Sequence, residues 1–153
     1  MKLRLYMAAE SADDMDIFVG VYKFDARGEF VPMAYYTYFN DGPVALGWLR
    51  ASHRELDAAA STEYQPVLRH RQALKLEPGQ VVPLDIEIWP SGTLFEAGSR
   101  LRLIVQGTDL QKYSKTRHPV YTRHEDGVNH GAHVIHTGGA TDSYLLIPIV
   151  AAR

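Results

Sequence analysis

The 153-residue chain contains no cysteine. Disulfide bonds, thiolate catalysis and zinc sites built on sulfur are therefore excluded, and the composition suits a reducing compartment. The sequence also lacks an export signal and any apolar run near the roughly 20 residues that a membrane-spanning helix needs. From these absences we predict a cytoplasmic protein with no membrane partner.

Concentrated positive charge is missing as well. The formal net charge is -2, from 16 Lys and Arg against 18 Asp and Glu. Nucleic acids bind a concentrated basic field, so no nucleic-acid partner is expected. The apolar fraction of 46% is ordinary for a folded protein, and the chain is long enough for one sizeable core. We predict a single domain over residues 1–153.

Two catalytic sequence patterns are absent. None of the serines lies in the pattern Gly-x-Ser-x-Gly, which holds the nucleophile of many hydrolases on a strained turn. Gly138 and Gly139 follow Thr137, but the Lys-Ser/Thr pair and the helix of a phosphate-binding loop do not follow. We therefore predict no catalytic residue and no cofactor.

Short strand-like segments are what the chain does contain. In "RLRLIV" (100–105), alternation places Leu101, Leu103 and Val105 on one face and the arginines Arg100 and Arg102 on the other. That pattern is typical of a strand that packs one face against the core. Further strands are predicted over residues 2–8, 16–24, 33–39, 44–52 and 84–88, and as a pair joined by a glycine-rich turn within 132–150.

Helical signals are few. Residues 53–65 hold the only credible helical turn, which Pro66 would end. The sequence "NDGP" at residues 40–43 predicts a strand end. Seven or eight short strands without repeating helices predict an all-β fold, an antiparallel β-sandwich of jelly-roll or Greek-key type.

Histidines are numerous, and "NHGAHVIH" holds His130, His133 and His136. On a strand, His130 and His136 would share a face about 20 Å apart, with His133 on the opposite face. One zinc ion, about 2.0–2.1 Å from each nitrogen, cannot reach all three. The favoured interpretation is hydrogen-bonded histidines and no metal site. The alternative is a metal-dependent enzyme completed by His118 or His124.

Aromatic residues cluster at Tyr35, Tyr36, Tyr38 and Phe39. The favoured interpretation is core packing together with contact to another domain. The alternative is a stand-alone carbohydrate-binding module that stacks sugar rings on Tyr36 or Tyr38.

Charged residues beside the strands are predicted to join loops to strands as ion pairs. Exposed pairs contribute about 0–1 kcal/mol, so these residues are not expected to mark a catalytic site. The residues are Arg50, Arg54, Glu55 and Asp142.

Four blocks of the sequence resemble a known family. They are "ESADDMDIFVGVYKFDARGEF" (10–30), "GWLRASHRELD" (47–57), the segment 76–109 and "NHGAHVIHTGGATDSYLLIPIV" (129–150). Their order and spacing are similar to the C-terminal domain of the X-prolyl dipeptidyl-peptidase and cocaine-esterase serine hydrolases, in particular the CocE/NonD branch. The resemblance runs nearly end to end.

The resemblance implies a galactose-binding-like jelly roll that follows an α/β-hydrolase domain carrying a Ser, Asp and His triad. That hydrolase portion is absent from this sequence, so no catalytic residue transfers onto it. The implied parent enzyme cleaves an ester or an amide, including an X-Pro peptide bond, and this chain alone is not expected to do so. The implied partner is the catalytic domain, with a homo-oligomer as the alternative, and we expect an exposed apolar patch where the partner packs.

Overall fold

The computed structural model describes residues 1–35, 39–110 and 127–150. The described chain is almost entirely β-structure, with two 3₁₀ turns at Ala51–His53 and Gly139–Thr141. Within these ranges no helix is long and apolar enough to cross a membrane. The strands are β1 (Lys2–Ala9), β2 (Asp16–Phe24), β3 (Phe30–Val31), β4 (Met33–Tyr35), β5 (Phe39–Gly42), β6 (Ala45–Arg50), β7 (Val82–Glu87), β8 (Arg100–Gln106), β9 (His133–His136) and β10 (Tyr144–Leu146).

The first sheet is built around β1. Strand β7 pairs antiparallel with one edge of β1, with Ile86 opposite Leu3. Strands β10 and β9 pair one after the other with the opposite edge, with Leu145 opposite Leu3 and Ile135 opposite Met7. The last strands of the described chain therefore lie beside its first.

The second sheet is built around β2. Strands β6 and β8 pair antiparallel with its two edges, so that Val19 lies between Gly47 and Val105. Strand β3 extends the β6 edge, with Phe30 opposite Phe24. Strands β4 and β5 form a separate antiparallel pair.

The apolar faces of the two sheets meet in one core. Successive side chains of a strand point to opposite faces, so every second residue of β1, β7 and β2 reaches the core. The antiparallel β-sandwich predicted from the sequence is confirmed, and the jelly-roll topology stays a prediction. The buried residues include Leu3, Leu5 and Met7 of β1, Val82, Leu84 and Ile86 of β7, Ile17, Val19 and Val21 of β2, and Leu49 of β6.

Strand β8 has the two faces that its alternation predicts. Leu101, Leu103 and Val105 are half-buried and pack against the core. Arg100 and Arg102 are exposed on the other face. The alternation alone therefore identified which side of this strand faces the core.

The predicted helical turn is present within residues 53–65, where the Ser61 amide donates to the Asp57 carbonyl four residues earlier (2.9 Å). The 3₁₀ turn ends at His53, where the predicted segment only begins. Beyond it, the Arg69 amide donates to the Glu55 carbonyl (2.9 Å) and the Asp57 amide donates to the Val67 carbonyl (2.7 Å). These bonds pair residues 55–57 with residues 67–69, so the helical bonding is limited to the single turn at residues 57–61.

A strand ends within residues 40–43, as predicted, because β5 stops at Gly42 and β6 begins at Ala45. Residues 40–42 belong to β5, and Gly42 pairs with Met33 of β4. The single strand predicted over residues 33–39 is two strands, because its two ends pair with each other through Tyr35 and Phe39.

Candidate functional site

Trp48 and Trp89 lie side by side on the surface where β6 meets β7. Alternation along β6 buries Leu49 and turns the neighbouring Trp48 outward. Trp89 follows β7, and its amide donates to the Leu46 carbonyl of β6 (2.9 Å). The ring centroids are 5.0 Å apart in an edge-to-face arrangement, and the residues are 44% and 49% exposed. We call this pair the tryptophan seam.

Two clefts adjoin the tryptophan seam. A cleft of about 210 Å³ lies beside Trp89 and is lined by Pro43 and Val44. A second cleft, of about 400 Å³, is lined by both tryptophans together with Pro66 and Leu68. The second cleft is also lined by the polar side chains of Gln65, Asp85 and Glu87. An exposed aromatic pair with polar groups around it is typical of a surface that receives another protein.

A third cleft, of about 410 Å³, carries two histidines beside Trp48 and Leu68. The Nδ1 atoms of His53 and His70 are 3.2 Å apart, and the ring centroids are 5.2 Å apart. His70 has a φ of 50°, the left-handed region that histidine adopts more readily than most residues, though still at a cost. We call His53 and His70 the histidine pair.

The two loops that carry the histidine pair are tied to each other. Besides the two backbone hydrogen bonds described above, the Arg69 guanidinium lies 3.5 Å from the Glu55 carboxylate. Leu56 and Leu68 form an isolated antiparallel bridge. The short distance between the imidazoles is therefore held by neighbouring residues as well as by their own contact.

One wall of the histidine cleft is a fixed ion pair. Arg50 donates to both carboxylate oxygens of Asp16, at 2.7 and 2.9 Å. The Asn129 side chain accepts from the Asp16 amide (2.7 Å) and donates to the carbonyls of Asp16 (3.1 Å) and Gly107 (2.5 Å). These contacts lock the segment before β9 to the start of β2.

Asp14 is a buried carboxylate below this wall, and it is only 1% exposed. Its Oδ1 accepts from the amides of Met15 and Ser52, both at 2.9 Å, and Lys75 Nζ lies 3.3 Å from its Oδ2. Burial raises the pKa of Asp14, but the hydrogen bonds from Ser52, Met15 and Lys75 outweigh it and leave the pKa below its ordinary value. Asp14 is thus an ionised structural group, unsuited to act as an acid at neutral pH.

Of the histidines singled out in the sequence, the three that the structure describes do not point toward one common site. His133 and His136 lie on β9 at a spacing that points them to opposite faces, and His130 precedes the strand. His118 and His124 lie outside the described residues. Among the residues that the structure describes, no three His, Asp or Glu side chains form a group that could hold a metal ion.

Three of the four charged residues singled out in the sequence make structural contacts. Arg50 pairs with Asp16 and Glu55 with Arg69, so both are ion-paired as predicted. Among the described residues Arg54 has no ion-pair partner, and it donates instead to the backbone carbonyls of Ala51 and Leu74. Asp142 is exposed and has no ion pair within the described part of the chain.

The aromatic cluster at residues 35–39 is only partly visible. Tyr36 and Tyr38 lie outside the described residues, as do the side chains of Tyr35 and Phe39. The carbohydrate-binding alternative that rested on these tyrosines stays a prediction.

Comparison with known proteins identifies a family. The family model "X-Pro dipeptidyl-peptidase C-terminal non-catalytic domain" matches residues 1–146. Two crystal structures of a CocE/NonD family hydrolase from Staphylococcus aureus are similar at 42% identity, with TM-scores of 0.88 and 0.89. Each match covers 93% of this chain and 26% of the hydrolase, so the chain spans about a quarter of the solved hydrolase.

No curated protein matches the chain. The resemblance inferred from the four sequence blocks is confirmed by both the family model and the solved structures. The chain belongs to the family of X-Pro dipeptidyl-peptidase C-terminal non-catalytic domains.

Proposed function

We propose that this domain packs its tryptophan seam against the α/β-hydrolase catalytic domain of an enzyme that cleaves an ester or an X-Pro peptide bond. The domain itself is proposed to be a rigid support that contributes no catalytic group. The observation that carries the proposal is the half-exposed pair of Trp48 and Trp89, which adjoins two clefts.

Covering the tryptophan seam would stabilise such a contact. Tryptophan side chains bury up to about 250 Å², so the exposed fractions leave about 200 Å² to cover, which is about 5 kcal/mol before the costs of association. Aromatic anchors of this kind often dominate the energy of an interface. The resemblance to the hydrolase family implies an exposed apolar patch where the partner packs, and the seam supports that expectation.

The absence of a nucleophile elbow from the sequence supports a non-catalytic role. A serine hydrolase needs a base to activate the serine and backbone donors to stabilise the oxyanion. The family description assigns catalysis elsewhere, because it names a C-terminal domain that is non-catalytic.

The coding sequence upstream of residue 1 tests the proposal directly. An in-frame α/β-hydrolase domain with a Gly-x-Ser-x-Gly motif is expected. The full product should hydrolyse aryl esters or X-Pro amides, while the 153-residue chain should not. A gene without such a domain, or hydrolysis by the chain alone at the rate of the full product, would contradict the proposal.

A variant of the full product tests the seam. Replacing Trp48 and Trp89 by alanine should weaken domain docking by about 2 kcal/mol or more and expose the domain boundary to limited proteolysis. Leu94→Ala is the matched control, because Leu94 is 73% exposed and lies outside the seam and its clefts.

Three results would overturn the proposed role of the seam. The first is equal proteolysis of the tryptophan variant and the control. The second is a tryptophan-dependent homodimer of the full product, which would make the occupant a second copy. The third is tryptophan-dependent glycan binding by the chain, which would favour a stand-alone ligand-binding module.

A further inference from the structure

We infer that His53 and His70 form a binding site for one divalent transition-metal ion, with Zn²⁺ as the representative ion, ligated by the Nδ1 atoms of both imidazoles. This inference goes beyond the proposed packing role and does not rest on it. It also departs from the expectation of no metal site, which considered the histidines of residues 118–136 and not this pair.

The separation of the two nitrogens is that of two ligands on one ion. Two Zn–N bonds of about 2.0–2.1 Å at a tetrahedral angle place the nitrogens about 3.3 Å apart. The Nδ1 atoms are 3.2 Å apart. The ring centroids lie farther apart than the nitrogens, at 5.2 Å, so each ring turns its Nδ1 edge toward the other.

The scaffold holds this geometry without the ion. The loops are joined between Glu55 and Arg69, which is the residue directly before His70. His70 has a left-handed backbone, and its ring contacts that of His53; the surrounding contacts must offset the cost of that backbone. A pre-organised pair loses less conformational freedom when it binds an ion.

The surroundings leave coordination positions open. Both histidines line the cleft of about 410 Å³, so water or a small ligand has room to complete the coordination shell. Imidazole suits Zn²⁺, Ni²⁺ and Cu²⁺, whereas Mg²⁺ and Ca²⁺ prefer oxygen ligands. The site is therefore expected to select first-row transition metals over the alkaline-earth ions.

Titration of the tag-free 153-residue chain with ZnCl₂ tests the inference. Calorimetry should report one ion per chain, and NMR of the imidazole nitrogens should show Nδ1 resonances of two histidines shifting with zinc. His53→Gln and His70→Asn should each lower the affinity about tenfold or more and remove those shifts. Asparagine tolerates a left-handed backbone, so His70→Asn removes the ligand with little strain.

His130→Ala is the matched control, because it removes an exposed histidine outside the pair. Its zinc affinity should equal that of the parent chain, and circular dichroism should show that all three variants are folded. Zinc affinity that is unchanged in both pair variants, shifts confined to other histidines, or no binding at millimolar zinc would overturn the inference.

Discussion

Gly47 packs directly against the carbonyl group of Glu87, backbone against backbone. A Cβ atom built on Gly47 would lie 2.1 Å from the Glu87 oxygen, far inside contact distance. The contact joins β6 of one sheet to β7 of the other, beside Trp48 and Trp89. The position of the tryptophan seam therefore depends on a residue that has no side chain.

Gly47→Ala is predicted to lower the free energy of unfolding by about 1–3 kcal/mol, because backbone must move to admit the methyl group. Urea unfolding measures the change. Gly92→Ala is the control, since nothing lies within 4 Å of its Cβ position, and it should change stability by less than about 0.5 kcal/mol. Equal stability of the two variants would show that β6 and β7 can separate at no cost.

Leu84→Ala is predicted to lower the free energy of unfolding by about 2–5 kcal/mol. Leu84 is 0% exposed in the shared core, so its truncation leaves a cavity between the sheets. Leu94→Ala makes the same chemical change at a residue that is 73% exposed, and it should cost less than about 0.5 kcal/mol. Chemical denaturation of both variants checks the difference, and similar losses would contradict the assigned core.

Asn129→Ala is predicted to cost about 1–3 kcal/mol, because it leaves the Asp16 amide and the Gly107 carbonyl without their partner. Hydrogen exchange should show the Asp16 amide losing protection. His130→Ala, at the next and exposed position, should leave that protection unchanged. If the Asp16 amide stays protected in Asn129→Ala, the hydrogen bond between Asp16 and Asn129 is not needed to hold β2 to the segment before β9.

Asp14 is predicted to make the free energy of unfolding depend on pH in the acidic range. Its pKa is lowered in the folded chain, so its contribution is full above the ordinary carboxylate pKa of about 3.9 and is lost as the pH falls through the lower folded value. The stability difference between the parent chain and Asp14→Asn should therefore shrink as the pH is lowered from about 6 to about 2.5. Urea unfolding across that range measures it.

Asp142→Asn is the control for the acid prediction, because Asp142 is exposed and has no ion pair within the described residues. Its stability difference from the parent chain should stay constant with pH. If the stability difference between the parent chain and Asp14→Asn also stays constant with pH, the prediction is wrong. The hydrogen bonds from Met15 and Ser52 would then not lower the pKa of Asp14 in the folded chain.

The sequence by itself determined the strands, their inward faces and the family. Alternation in β8 and β7 is a local property, because neighbouring side chains of any strand point to opposite sides. Local patterns did not give the pairing of β4 with β5, which divides a segment predicted as one strand. They also did not give the pairing of residues 55–57 with residues 67–69.

Only the tertiary structure decided which surface features came together. His53 and His70 are 17 residues apart, and no sequence pattern could have paired them. The same holds for Trp48, which lies on β6 of one sheet, and Trp89, which follows β7 of the other. Their proximity follows from the close approach of β6 to β7 and from the loop that returns Leu68 to Leu56. Alternation assigns a residue to a face, whereas the neighbour across that face is set by how the whole chain closes on itself.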